Sequence, residues 1–206
     1  MEPYQPCNQI DDQIWIGNDC YQWICYERSK NSEYESPYFP EKEITHIINM
    51  SDDIDASNYI PNNKIIYEHY PIDEMEKDAT KNRATLLLAA KRIYYLIQES
   101  PDNRIYVHCS MGVNRSPAAV LMYYIKYCQM TLYYAYKKIV EKRRIFTSSI
   151  LFDVLYKEAC ELDGLERTIS PLKLRTNYSY NFCQPNAYMF GLYDMMALDK
   201  LYGDKK

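Results

Sequence analysis

The segment that most restricts the fold of this chain is Ile105-Tyr106-Val107-His108-Cys109-Ser110-Met111-Gly112-Val113-Asn114-Arg115-Ser116-Pro117. A short run of β-forming residues gives way to a loop with one glycine, and then to the apolar stretch from Pro117 to Cys128, which reads as a buried helix. Proline is tolerated in the first helical turn because its missing N–H would have no intrahelical partner there. A strand that passes through a tight loop into a buried helix is the repeating unit of an α/β sheet, since parallel strands need a helical crossover.

The rest of the chain supplies further parts of such a sheet. Gln13-Ile14-Trp15-Ile16-Gly17-Asn18 alternates apolar and polar positions and breaks at glycine, as a short strand does. Residues 44–50 and 64–70 are two β-branched runs, closed by Ser51-Asp52-Asp53 and by Pro71. Between Thr80 and Ser100, Leu86, Leu87, Ala90, Ile93, Tyr94 and Ile97 recur at helical spacing. That predicts one amphipathic helix about 30 Å long, ended by Pro101-Asp102-Asn103. Two more helices are expected over 132–142 and 149–162. The order predicts a mainly parallel central sheet flanked by helices on both faces, with ligands bound where strand carboxyl ends meet helix N-termini. Residues 109–115 fall at such a junction. Residues 21–42, aromatic, charged and proline-punctuated, read as an irregular insertion or a broken helix.

That loop suits an anion. The backbone amides of Ser110, Met111, Gly112, Val113, Asn114 and Arg115 can point inward as a nest, and the following helix aims its positive end at the same spot. Gly112 relieves the backbone where a side chain would collide with the nest wall. Arg115 adds a planar fork able to grip two phosphate oxygens. The same positive field favours a thiolate, so Cys109 is expected to be an activated nucleophile. Ser116 is placed to donate its hydroxyl to the sulfur, and His108 to orient the loop rather than react.

The pattern His108-Cys109-x-x-Gly112-x-x-Arg115-Ser116 resembles the signature of the dual-specificity subgroup of the protein tyrosine phosphatases. Residues 12–17 resemble that family's opening strand, Ile44 to Asn49 its second, and Arg143-Arg144 precede the last helix much as in the family. The resemblance spans residues 10–162, with 1–9 expected as an N-terminal extension and 163–206 as a C-terminal one. It implies a tyrosine-phosphatase-like fold and a two-step hydrolysis of phosphotyrosine, and often of phosphoserine or phosphothreonine, through a phosphocysteine without metal or other cofactor. Family members commonly place an asparagine where Ser148-Ser149 stand here, to brace the phosphate loop.

Cleavage of a phosphate ester also needs a proton for the leaving oxygen. The resemblance locates the donor after the strand that precedes the long helix, in Pro71-Ile72-Asp73-Glu74-Met75-Glu76-Lys77-Asp78. Asp73 follows the strand closely and is the leading candidate. Asp78 lies at the family's spacing from Cys109, and Glu74 stands between them. A carboxylate before a helix also serves as an N-cap, the bland role for Asp78.

Composition narrows the partners. The net charge of −4 opposes a nucleic-acid groove and so a 5′-triphosphatase acting on RNA. A phosphoprotein reader without catalysis is the other rival, and it usually lacks the cysteine or arginine present here. Lys137-Lys138 and Glu141-Lys142-Arg143-Arg144 read as a solvated helix face, or else as a basic rim for acidic substrates. Seven cysteines, without paired metal spacing, suggest free thiols in a reducing, cytoplasmic compartment, with Cys128 buried as a small apolar residue. With no signal-like start and no run of 18 apolar residues, no membrane partner is expected. The apolar segment 187–201 is expected to pack on the domain or to form a homodimer.

Overall fold

The computed structural model describes residues 5–21, 27, 30, 43–52, 65–74, 76 and 78–163. The stretch 18–42 and the C-terminal extension therefore lie mostly or wholly outside the described residues. Within them the strands are β1 (Cys7–Gln9), β2 (Ile14–Gly17), β3 (His46–Ser51), β4 (Ile66–Ile72) and β5 (Ile105–His108). The helices are α1 (Ala79–Glu99), α2 (Arg115–Tyr127), α3 (Leu132–Val140) and α4 (Ser149–Asp163).

The strands form one sheet in the order β1-β2-β5-β3-β4. Only β1 runs antiparallel, pairing Cys7 with Gly17 at the edge, so three residues of the stretch expected as an extension belong to the sheet. The other pairs are parallel, and β5, buried along its whole length, is the central strand. Register brings Gly17, His108 and Asn49 into one row, so the carboxyl ends of β2, β5 and β3 open side by side.

Alternation along each strand splits the core in two. Ile14, Ile16, Ile48, Met50, Ile105 and Val107 face a large cluster that also takes the buried residues of all four helices. Trp15, Ile47 and Tyr106 face the other way, into a smaller cluster with Cys7, Tyr21, Ile44 and Ile65. The four helices named above share one face of the sheet, while Cys20 and Tyr21, also helical, pack into the cluster on the other.

Helix α1 starts where Asp78 accepts the Thr80 amide at 2.8 Å, and it buries Leu86, Ala89, Ala90, Ile93 and Leu96. Beside the core a buried carboxylate joins three helices. Glu158, wholly inaccessible, meets Arg83 of α1 at 2.7 Å and Lys126 of α2. Cys128 lies exposed at the end of α2, correcting the expected burial, because the helix stops at Tyr127 and the chain turns outward through Gln129 at φ 53°. Among the described residues no helix is long and apolar enough to cross a membrane.

Candidate active site

Strand β5 ends at His108 and leads into Cys109, whose amide donates to the carbonyl of Gly17 at 3.4 Å. The chain then circles through residues 110–114 and enters α2 at Arg115, with the Ala118 amide on the Asn114 carbonyl at 3.0 Å as the first helical bond. Four successive loop carbonyls are held from outside. Ser110 O accepts the Asp19 amide at 3.5 Å, and Val113 O accepts the Phe146 amide at 2.6 Å. Between them Arg143 takes Gly112 O through Nε at 2.7 Å and Met111 O through Nη2 at 3.3 Å. In a trans peptide the N–H points opposite to the C=O, so tying these carbonyls outward turns the amides of residues 111–114 toward the loop's centre.

Gly112 is indispensable to that curvature. Its φ is +69°, and a Cβ there would lie 2.3 Å from the Gly17 backbone and 2.5 Å from Arg143 Nη2. Its amide donates to Cys109 Sγ at 3.2 Å. The Ser116 hydroxyl donates to the same sulfur at 3.3 Å. The sulfur sits on the floor of the loop, Cys109 being only 1% exposed.

Arg115 is buried and spans the loop. Its Nη2 donates to Ser110 Oγ at 2.8 Å, and Nη1 donates to Asp52 at the end of β3 and to Ile72 O at 3.5 Å. Nε lies 3.0 Å from a carboxylate oxygen of Glu74. Asn114 links the same carboxylate to the last helix: Nδ2 donates to Glu74 Oε1 at 3.1 Å, and Oδ1 accepts the Ser148 amide at 2.8 Å. At the position where the family's asparagine was expected, Ser148 thus meets the loop through its backbone, and the asparagine stands in the loop.

His108 is buried, stacked on Tyr106 at 5.4 Å, and among the described residues neither ring nitrogen has a hydrogen-bond partner. Burial pushes its pKa down to about 3, with a contact to the Cys109 backbone opposing and the nearby His69 adding to the fall. It is therefore a neutral ring at physiological pH. Met111, 67% exposed, stands at the loop's outer rim.

The structure thus brings Cys109, Ser110, Gly112, Asn114, Arg115 and Ser116 together around one concavity. Of the three carboxylates weighed as proton donor, Glu74 touches the loop. Asp73 offers its backbone carbonyl to the Glu76 amide at 3.2 Å and to Asn82 Nδ2 at 3.5 Å. Asp78 is exposed at the start of α1. Two residues lay outside the sequence-based site: Asp52, read as the end of a strand, and Arg143, here a brace for the loop; Asn114 was expected there for its amide, and its side chain adds a bridge to Ser148 before α4. The sequence read Arg143 as one of several cations and, with Arg144, as a pair placed before the last helix much as in the family; it is 4% exposed and also donates to Gln5 O and Asn8 Oδ1, at 3.0 and 2.7 Å. An oxyanion centred in this loop would meet inward amides, a guanidinium and a thiol in line behind it.

Comparison with known proteins agrees with the geometry. The family model described as "Dual specificity phosphatase, catalytic domain" matches residues 26–157. Human protein phosphatase Slingshot homolog 3 is 33% identical over 104 residues, covering 50% of this chain and 14% of that protein. Bovine dual specificity protein phosphatase 26 is 40% identical over 57 residues, covering 28% of this chain and 27% of that protein. The matches thus span a minor part of either relative's length. Human DUSP28 shares the fold with a TM-score of 0.58 at 14% identity, over 79% of this chain and 97% of that one. A leucine rich repeat and phosphatase domain containing protein from Entamoeba histolytica gives 0.54 at 18% identity, over 77% and 93%. With the family match covering well over half of its residues, this chain belongs to the dual specificity phosphatase catalytic domain family.

Proposed function

We propose that the chain hydrolyses phosphotyrosine, and phosphoserine or phosphothreonine, in protein substrates through a phosphocysteine at Cys109. The observation that carries this reading is the environment of the sulfur: two donors aimed at it, 3.2 and 3.3 Å away, on the floor of a loop spanned by Arg115. Both donors are placed to hold the sulfur as it takes up the electron pair of the breaking sulfur–phosphorus bond.

In the first step a lone pair of Cys109 Sγ forms a bond to phosphorus while the bond from phosphorus to the ester oxygen breaks. The inward amides and Arg115 hold the three remaining oxygens as charge spreads over them. The leaving oxygen takes a proton from the carboxylate segment after β4. Asp73, which follows β4 directly, is our first choice, and Glu74 beside it, which reaches Arg115 and Asn114, is the second. In the second step the same carboxylate accepts a proton from water as the water oxygen attacks phosphorus. The sulfur departs with its electron pair, stabilised by the Ser116 hydroxyl.

Hydrolysis of a phenyl phosphate and of phosphotyrosine and phosphoserine peptides, with chelator present, tests this reading. Cys109→Ser should abolish turnover while leaving phosphate binding intact. Glu74→Gln and Asp73→Asn then separate the two candidate donors. The true donor's loss removes the basic limb of the pH profile, most strongly for poor leaving groups. Undiminished hydrolysis by Cys109→Ser would sink the mechanism. The family assignment favours neither the RNA 5′-triphosphatase nor the phosphoprotein reader.

A further inference from the structure

Arg115 carries two carboxylates, both about two-fifths exposed, on different nitrogens of its guanidinium. Asp52 directly follows the buried strand β3, whose last residue is pinned: the Ser51 amide is fixed on Asn49 Oδ1 at 2.8 Å and the Ser51 carbonyl meets His69 Nε2 at 2.5 Å. Glu74 stands beyond the end of β4, with its side chain 44% exposed. A guanidinium offers a forked grip through two adjacent nitrogens, along either the Nε–Nη2 edge or the Nη1–Nη2 edge. Asp52 and the Ile72 carbonyl occupy Nη1. The edge left for a phosphate fork is therefore Nε–Nη2, where Glu74 and the Ser110 hydroxyl now sit.

We propose that Asp52 is a positioning residue: it locks Nη1 of Arg115 at the end of β3, so that the Nε–Nη2 edge faces the loop, while Glu74 is the exchangeable anion that phosphate displaces from that edge. The proposal rests on the reading of the loop as a phosphate site, and it makes a prediction that charge alone reverses. Two negative side chains beside an anion site should both weaken phosphate binding, so that removing either would tighten it. Positioning predicts opposite signs for the two. Without Asp52 the printed hold on Nη1 is the Ile72 carbonyl at 3.5 Å, so the fork is aimed less firmly and part of its order must be restored each time phosphate binds.

The test is the affinity for inorganic phosphate, followed by calorimetry and as competitive inhibition of phenyl phosphate hydrolysis, in Asp52→Ala, Asp52→Asn and Glu74→Gln. Asp52→Ala should weaken phosphate binding roughly tenfold or more, raising KM and lowering kcat together. Asp52→Asn, which keeps an oxygen acceptor for Nη1 but not the charge, should recover part of that loss. Glu74→Gln should tighten phosphate binding severalfold. Phosphate bound as tightly by Asp52→Ala as by the unmodified chain, or more tightly, would overturn the positioning role and leave the phosphatase reading standing. An unmodified chain that neither binds phosphate nor hydrolyses the ester would overturn both. Should Asp52→Ala fail to fold, the asparagine variant decides alone, since simple charge removal predicts tightening there.

Discussion

Replacing His108 by leucine should flatten the fall of stability between about pH 7.5 and pH 5. The ring is 1% exposed, and burial holds its pKa at about 3 against the ordinary 6.5 that it regains on unfolding. The folded state therefore binds no proton at His108 anywhere in this interval, whereas the unfolded state takes one up as the pH drops through 6.5. Stability is fully present above the unfolded value and is lost as pH falls toward the folded one, at about 1.4 kcal/mol per pH unit once well below 6.5. Integrated from pH 7.5 to 5, the loss is about 2 kcal/mol. Denaturant unfolding at several pH values, with the slope m checked for constancy, measures it. Leucine roughly keeps the volume and removes the titration, at a pH-independent cost from the lost stack on Tyr106. His46, whose pKa burial also lowers, contributes the same sign in both proteins, so the readout is the difference between their slopes. Equal slopes would show that His108 is not held neutral in the folded chain, and the account of its burial would be wrong.

Arg143→Lys should lower kcat/KM roughly ten- to a hundredfold with little change in far-ultraviolet circular dichroism, because an ammonium cannot reproduce the fork on Gly112 O and Met111 O. Activity within about twofold of the unmodified chain would refute the bracing role. Glu158→Gln should cost about 2 kcal/mol, less than for a wholly buried pair because the side chains of Arg83 and Lys126 are 40% and 29% exposed. A thermal melt should report it as a drop of several degrees, with the hydrolysis rate measured well below the transition unaltered.

The legible parts of this chain are those whose signals are local. The strand, loop and helix of residues 105–127 follow from composition within a window of about two dozen residues, and α1 from the recurrence of Leu86, Ala90 and Ile93. Arg143 shows the opposite case. It and Arg144 are alike in sequence, yet α3 ends at Val140 and the turn that follows, with the Arg143 amide on Ile139 O at 2.8 Å, swings the first inward and leaves the second exposed. No spacing rule encodes which neighbour a turn delivers to a loop 31 residues away. Asp52 was likewise readable only as the punctuation of a strand, since its partner arrives from 63 residues later. Strand β1 escaped because three residues carry no period, and its place at the sheet edge is set by pairing with β2.

The outward anchoring of the loop carbonyls bears on when reactivity can first arise. Residues from both ends of the domain converge there: Arg143 binds Gln5 and Asn8 with the same guanidinium that holds Met111 and Gly112, and Phe146 closes Val113. A chain growing on the ribosome from its N-terminus has made Cys109 and Arg115 some thirty residues before it has made those anchors. Through that interval the thiol lacks the shaped ring of amides around it. On the proposed mechanism, chemical competence is thus postponed until synthesis has passed residue 146, and a nascent chain acts on no phosphoprotein before the domain is nearly complete.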